Sequence, residues 1–361
     1  MADARWQGGP MSAVGRIRKK IRAVVVDDSF VARELLVQIL QSDPDIEVVG
    51  QAKNGAEAVE RVAALRPDIV TMDIHMPVLD GLDATEQIMA FAPTPILVVS
   101  TSVYGQGMGS AFEALDLGAL DVVKKPEARD WTTLGEIGEA IIQKVKVLAN
   151  VKVVTHVRGK RTVRPARLAK VGSMAKRSLV AIGSSTGGPS ALLEVLGRLS
   201  ADLPVPVVVA QHIADGFVSG LASWLDSGCA IKVTVAENGV VPEPGVAYLA
   251  PTGANLRFEG SAMRVVASSP GQVYVPNIDT LFDSVALMHG ANTVGVLLTG
   301  MGADGAEGLK LMRNEGAYTI AQDEATSVVY GMPKAAVDIG AAMDVLPVHC
   351  VADAITKAVL G

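Results

Sequence analysis

Leu179-Val-Ala-Ile-Gly-Ser-Ser-Thr-Gly-Gly-Pro-Ser190 is a short apolar run that stops in a Gly- and Ser-rich turn, and it continues as Ala191-Leu-Leu-Glu-Val-Leu196. Leu179 to Ile182 has the character of a buried strand. Ser190 to Leu199 places Leu192, Leu193, Leu196 and Leu199 at helical spacing. A strand that ends in such a turn and restarts as a helix leaves unpaired N–H groups at the helix start, aimed outward and favouring negative charge. A serine there can present its hydroxyl at the carboxyl edge of a sheet, beside donors suited to an oxyanion. The competing reading is a tight βα turn whose serines cap the helix.

At 361 residues the chain exceeds what one core usually fills, and two domains are expected. Hydrophobic residues make up 49% of it and aromatics only 4%, so the cores are aliphatic. No apolar stretch reaches the roughly 18 to 20 residues of a membrane span. Met1 to Lys20 lacks the apolar core of a secretory signal; Arg16, Arg18, Lys19 and Lys20 lead into a strand. Cys229 and Cys350 make neither a disulfide framework nor a metal cluster. A cytoplasmic protein without membrane insertion is expected. The net charge of -6 argues against generic nucleic-acid binding.

In the N-terminal half, strands are predicted over Ile21–Val26, Val48–Gly50, Pro67–Met72, Pro95–Val99 and Asp121–Val123, with helices over Phe30–Leu40 and Gly55–Leu65. This alternation implies a doubly wound parallel sheet with its site at the carboxyl ends of the strands. Asp27, Asp28 and Asp73 fall at such ends, as do Ser100 and Lys125. Three carboxylates at one edge repel each other unless a cation sits among them, and oxygen ligands suit Mg²⁺. A lysine and a hydroxyl at the same edge would serve phosphoryl oxygens. Asp27-Asp28, Met72-Asp73-Ile-His-Met-Pro77 with Asp80-Gly81, Ser100, and Lys125-Pro126 resemble the response-regulator receiver family. The resemblance implies a flavodoxin-like domain in which Asp73 accepts a phosphoryl group from a histidine kinase. It also implies Mg²⁺ on Asp27, Asp28 and Asp73, and phosphoryl contacts from Ser100 and Lys125. Lys124 competes with Lys125, which is preferred because it precedes Pro126. Val122 stands where many receivers carry an aromatic.

Residues 143 to 176 carry Lys144, Lys146, Lys152, Arg158, Lys160, Arg161, Arg164, Arg167, Lys170 and Lys176 without an acidic residue, the signature of a solvated linker. Its start also reads as the continuation of a helix, since Ile137, Ile141, Ile142 and Val145 repeat at helical spacing. The expected division is an N-terminal extension (1–20), a receiver (21–142), a basic linker (143–176) and a C-terminal domain (177–361).

In that last domain Val205–Ala210 predicts a strand ending at Gln211-His212. Thr293–Leu298 predicts another, leading through Thr299-Gly-Met-Gly-Ala-Asp-Gly305 into a helix from Ala306 to Asn314. Lys232–Val235, Val246–Ala250, Leu256–Glu259 and Met263–Val266 are short β segments in a Pro- and Gly-rich region, a small β insertion in a second α/β domain. Ser185, His212 and Asp304 each follow a predicted strand, so one sheet edge can gather them. A hydroxyl becomes a nucleophile when an imidazole takes its proton, and a carboxylate orients the imidazole and stabilises its charged form. The order Ser, His, Asp and the lack of a Gly-x-Ser-x-Gly elbow disfavour an ordinary α/β-hydrolase. Ser184 is the competing nucleophile. Asp279 is expected to cap the helix ending at His289, and His289 to interact with that helix's C-terminus.

Ala181-Ile-Gly-Ser-Ser-Thr-Gly-Gly188, Gln211-His212 and Thr299-Gly-Met-Gly-Ala-Asp-Gly305 resemble the signature segments of the chemotaxis protein-glutamate methylesterase (CheB) family, which also carries a receiver ahead of them. The resemblance implies a Rossmann-like domain that hydrolyses glutamyl methyl esters on chemoreceptors, releasing methanol, and deamidates certain glutamines. Ser185 would be the nucleophile, His212 the base then acid, Asp304 its orienter, and the backbone at Thr186 and Met301 the oxyanion region. Ester cleavage would need no metal. Ser184 and Ala303 depart from residues the family often has, Ala and Asn. A nucleotide-binding module is disfavoured because the glycines run Gly183-x-x-x-Gly187-Gly188, and a DNA-binding regulator because no basic recognition helix is visible.

Overall fold

The computed structural model describes residues 19–101, 110–126, 131–153, 177–269 and 271–361. The N-terminal extension up to residue 18, and the basic segment from 154 to 176, lie outside the described residues.

The N-terminal domain runs β1 (Ile21–Val26), α1 (Phe30–Gln41), β2 (Ile46–Ala52), α2 (Gly55–Leu65), β3 (Ile69–Met72), α3 (Gly81–Phe91), β4 (Ile96–Ser100), α4 (Ser110–Asp116), β5 (Asp121–Lys124) and α5 (Trp131–Leu148). Its five strands are parallel in the order β2-β1-β3-β4-β5. Side chains alternate across a strand, so Ala23 and Val25 join the core under α1 and α5 while Val24 and Val26 join the one under α2 and α3. That two-sided burial is why β1 is a continuous aliphatic run. Ser29, Asn54 and Asp80 cap the first three helices by accepting the N–H of Ala32, Glu57 and Asp83.

The last helix of this domain carries past residue 142 to Leu148, because Val145 and Leu148 are fully buried. Two lysines of the basic run are held here. Lys144 pairs with Asp121, and Lys146 with Asp43 at 3.0 Å and Asp45 at 2.8 Å. The beginning of the basic run is therefore helix rather than tether.

The C-terminal domain continues with β6 (Leu179–Ser184), α6 (Gly188–Leu196), β7 (Val207–Gln211), α7 (Val218–Gly228), β8 (Lys232–Val235), β9 (Val246–Leu249), β10 (Ala254–Glu259), β11 (Ala262–Ala267), α8 (Ile278–His289), β12 (Thr293–Leu297), α9 (Ala306–Asn314), β13 (Tyr318–Gln322), α10 (Met332–Asp338), β14 (Asp344–Leu346) and α11 (Val348–Leu360). Seven parallel strands form one sheet in the order β14-β13-β12-β6-β7-β9-β8. The β insertion is narrower than its sequence suggests. Only β10 and β11 form a separate antiparallel hairpin, while β8 and β9 extend the main sheet. Strand β6 lies between β12 and β7, where the chain order reverses, so a crevice opens beyond its carboxyl end.

The two domains touch. Phe112 of α4 stacks on Trp224 of α7 (centroids 5.9 Å apart) and meets the edge of Phe217 at 6.4 Å. The Trp224 indole N–H donates to Asp116 at 3.1 Å. One cluster of buried aliphatic residues passes from Ile88 and Leu115 into Leu192, Leu196 and Leu221 without a break.

Candidate active site

Ser185, His212 and Asp304 follow the ends of β6, β7 and β12, three adjacent strands. The His212 Nδ1 lies 3.2 Å from Ser185 Oγ, and its Nε2 lies 2.7 Å from Asp304 Oδ2. An ionised carboxylate only accepts, so Nε2 carries the ring proton and Nδ1 offers its lone pair to the serine hydroxyl. Ser185 is 7% exposed and Asp304 8%, so both groups are held out of bulk water.

Ser184 points elsewhere. It is fully buried, and its hydroxyl donates to Gln211 Oε1 at 2.5 Å. The Gln211 amide then donates to the carbonyls of Ser185 (2.8 Å) and His212 (2.9 Å), fixing both ends of the serine–imidazole pair. Gly188 is what lets Gln211 in: a Cβ there would fall 2.0 Å from Oε1. Gly300 does the same for Ser185, since a Cβ on it would sit 2.7 Å from Ser185 Cβ.

Asp304 is seated on the N-terminus of α8. Besides His212, its oxygens accept the N–H of Ile278 (2.8 Å), the N–H of Asp279 (3.1 Å) and the Asn277 side-chain amide (2.7 Å). Burial alone would push its pKa up; the His212 hydrogen bond and the Ile278 and Asp279 N–H groups outweigh burial and hold it below the usual carboxylate range. The helix dipole acts in the same direction. Asn277, rather than Asp279, caps α8, by accepting the Thr280 N–H at 2.8 Å. Asp279 instead reaches across to α9, accepting the Gly308 N–H at 2.7 Å. Burial, helped by the neighbouring Asp304 charge, raises Asp279 to about 6. Asp304 does not cap α9 either, whose cap is Gly305. His289 closes α8 against the edge of Phe258, and burial lowers its pKa, so it favours the neutral form over a dipole-stabilised cation.

The Ser185 N–H is spent on the Thr299 carbonyl at 3.0 Å. Among the described residues the N–H groups of Thr186 and Met301 have no hydrogen-bond partner. Thr186 is held in place by its own carbonyl, which accepts the Thr299 hydroxyl at 3.0 Å.

In the N-terminal domain, β1 and β3 deliver Asp27, Asp28 and Asp73, each with a carboxylate oxygen within 4.8 Å of the others. Three hard oxygen donors this close fit Mg²⁺. Lys125 Nζ lies 2.7 Å from Asp27 and 2.7 Å from Asp73, whereas Lys124 ends β5 elsewhere. Burial works against the Lys125 charge, but hydrogen bonds to Asp27 and Asp73 more than compensate and raise its pKa. Burial raises that of Asp27 despite the lysine. Ser100 is buried at the end of β4, its carbonyl accepting the Lys125 N–H at 2.8 Å.

Residues 180–355 match the family model described as CheB methylesterase, and residues 23–133 that described as response regulator receiver domain. The chain is 44% identical over 341 residues to "Protein-glutamate methylesterase/protein-glutamine glutaminase 2" of Anaeromyxobacter dehalogenans (strain 2CP-C), covering 94% of this chain and 96% of that one. The chain belongs to the CheB methylesterase family. A relative from Cupriavidus pinatubonensis, "Protein-glutamate methylesterase/protein-glutamine glutaminase 1", is 42% identical over 92% of this chain and 96% of its own. Among solved structures, the Thermotoga maritima CheB methylesterase catalytic domain is 35% identical (TM-score 0.48), covering 50% of this chain and 98% of that one. The response regulator domain of Thermotoga maritima CheB is 41% identical (TM-score 0.34), covering 37% and 99%.

Against that family pattern the two departures leave the Ser185–His212–Asp304 contacts intact. Ser184 is absorbed by Gln211, and Ala303 is exposed and takes no part in holding Asp304, which α8 holds instead. Sequence reasoning assigned no role to Gln211, Asn277 or Tyr274, whose ring lies parallel to the His212 imidazole. For Asn277 the signal was available: an Asn three residues ahead of a Thr, before an apolar helical run.

Proposed function

We propose that this chain is a receiver-regulated protein-glutamate methylesterase and glutaminase, with Ser185, His212 and Asp304 as its catalytic triad. The observation that carries the reading is the unbroken serine–imidazole–carboxylate relay of 3.2 and 2.7 Å. Ser185 Oγ attacks the ester carbonyl of a methylated glutamate on a chemoreceptor while its proton passes to His212 Nδ1. The N–H groups of Thr186 and Met301 receive the developing oxyanion. His212 returns the proton to the leaving methoxide, methanol departs, and a glutamyl ester of Ser185 remains. Water, deprotonated by His212, attacks that acyl-enzyme. The collapse frees the glutamate and restores the serine. A receptor glutamine follows the same path with ammonia as leaving group. Asp304, ionised by its ring of donors, stabilises the imidazolium and does not take the proton itself.

Asp73 accepts a phosphoryl group from a histidine kinase, with Lys125 and Ser100 against the phosphoryl oxygens. Asp27, Asp28 and Asp73 would hold Mg²⁺, which when bound would supply charge neutralisation for the transfer. The docked receiver restrains the esterase, and the added charge weakens docking. Such an enzyme works in the cytoplasm, where receptor helices carrying these glutamates are reached. Two readouts test the assignment. Ser185→Ala should abolish methanol release from methylated receptors while circular dichroism stays unchanged; wild-type turnover in that variant refutes it. His212→Gln and Asp304→Asn should each cost orders of magnitude in rate, and the double variant little more than the worse single one.

A further inference from the structure

Tyr274 lies outside the triad and outside every motif above, yet it covers one of its members. Its ring is parallel to the His212 imidazole, 3° from coplanar alignment, with centroids 4.6 Å apart. Its hydroxyl rests on the β12–α9 turn: a Cβ on Gly302 would lie 3.2 Å from Tyr274 Oη. That turn carries Met301 on one side of Gly302 and Asp304 on the other. Three residues further along, Asn277 donates to Asp304 at 2.7 Å. The segment from Tyr274 to Asn277 thus touches both the imidazole and the carboxylate that orients it, while Val273 beside it is 83% exposed.

We infer that Tyr274 is a positioning residue for the esterase reaction, holding the plane of the His212 ring and stabilising it when it becomes cationic. This rests on the triad reading above. The physical reason is specific to the step. To take the Ser185 proton the imidazole must be neutral, and once it has taken it the ring is positive. A cation facing the electron-rich face of an aromatic ring is attracted to it, and more strongly where water is excluded. The His212 side chain is only 9% exposed, so the imidazole face of the contact is shielded, while the outer side of the Tyr274 ring, 37% exposed, meets solvent. Because the attraction appears with the charge, it lowers the barrier rather than tightening ground-state binding, and belongs in kcat.

The test uses the full chain and methylated chemoreceptors in membrane vesicles, following methanol release across pH. Tyr274→Phe keeps the ring and should stay within about twofold of wild type. Replacing Tyr274 by phenylalanines of increasing ring fluorination keeps the shape and drains the π face. Across that series kcat should fall progressively, by about tenfold at full fluorination, with KM unchanged and the acid limb of the profile moving to lower pH. Tyr274→Leu should show the same loss without rescue. A fluorination series with constant kcat and constant acid limb overturns the inference. So does a change confined to KM, which would make the ring a wall for substrate. Ser185→Ala run alongside separates the two claims: if it turns over like wild type, the triad reading has failed, whatever Tyr274 does.

Discussion

The side chains of the proposed triad are held by others outside it. Asn277 carries two duties, capping α8 and donating to Asp304. Asn277→Ala should therefore lower stability by about 1 kcal/mol, the usual worth of such a cap. It should also reduce kcat with little change in KM, which steady-state kinetics beside urea unfolding will separate. Asp279 gives a different signature. Its carboxyl titrates near 3.8 when unfolded and at about 6 when folded. The folded chain thus binds its proton more tightly, and the stability this contributes is complete below about pH 4 and lost as pH rises through about 6. Asp279→Asn should lose that dependence, so the Tm of the variant minus that of wild type should grow more positive from pH 4 to pH 8. A flat difference across that range would show that the burial of this carboxyl is relieved in solution. That Ser185, His212 and Asp304 could meet was legible in sequence because the first two directly follow aliphatic strands and the third lies in the turn after another. Gln211 and Tyr274 were not, since nothing in a linear chain says which backbone carbonyl an amide will meet or which ring will lie flat on another.

At the scale of elements, strands buried on both faces announced themselves as runs of Val, Ile and Ala, and β1, β6 and β12 stand close to where those runs predict. Partner choice was hidden. β8 and β9 are four residues each and look no different from the hairpin strands that follow, yet they pair in parallel with the main sheet. β8 also packs against α7, a tertiary contact that no local pattern announces. The end of α5 was half-legible: Ile141, Ile142 and Val145 repeat at helical spacing, but its lysines mimic a linker by charge while Val145 and Leu148 between them are fully buried. Leu148→Ala should accordingly cost about 2–5 kcal/mol in denaturant unfolding, as for a fully buried leucine. A linker residue would cost nothing measurable.

For the whole molecule, the decisive contact is α4 against α7, where Phe112 meets Trp224 and Phe217. Phe217 follows directly on the loop that begins at His212, so the receiver leans on the structure behind the imidazole. Between Leu115, Gly118 and Leu120 on one side and Gly187, Ala191 and Val328 on the other lies a cavity of about 240 Å³, immediately beside the turn that carries Ser185. If this face restrains the esterase, Trp224→Ala should raise methanol release in the absence of phosphodonor several-fold and shrink the further gain on phosphorylation. Basal activity equal to wild type would place the restraint elsewhere. A Trp224 emission shift on adding a small phosphodonor would report the same event directly, and Asp73→Asn should abolish that shift.

The aliphatic cluster shared by the two domains has a thermal consequence. Parts that share an interior cannot melt independently, because loosening one exposes oily surface on the other. Heated without phosphoryl donor, the molecule should absorb its heat of unfolding in a single calorimetric peak; once the shared interior has parted, that peak should split in two.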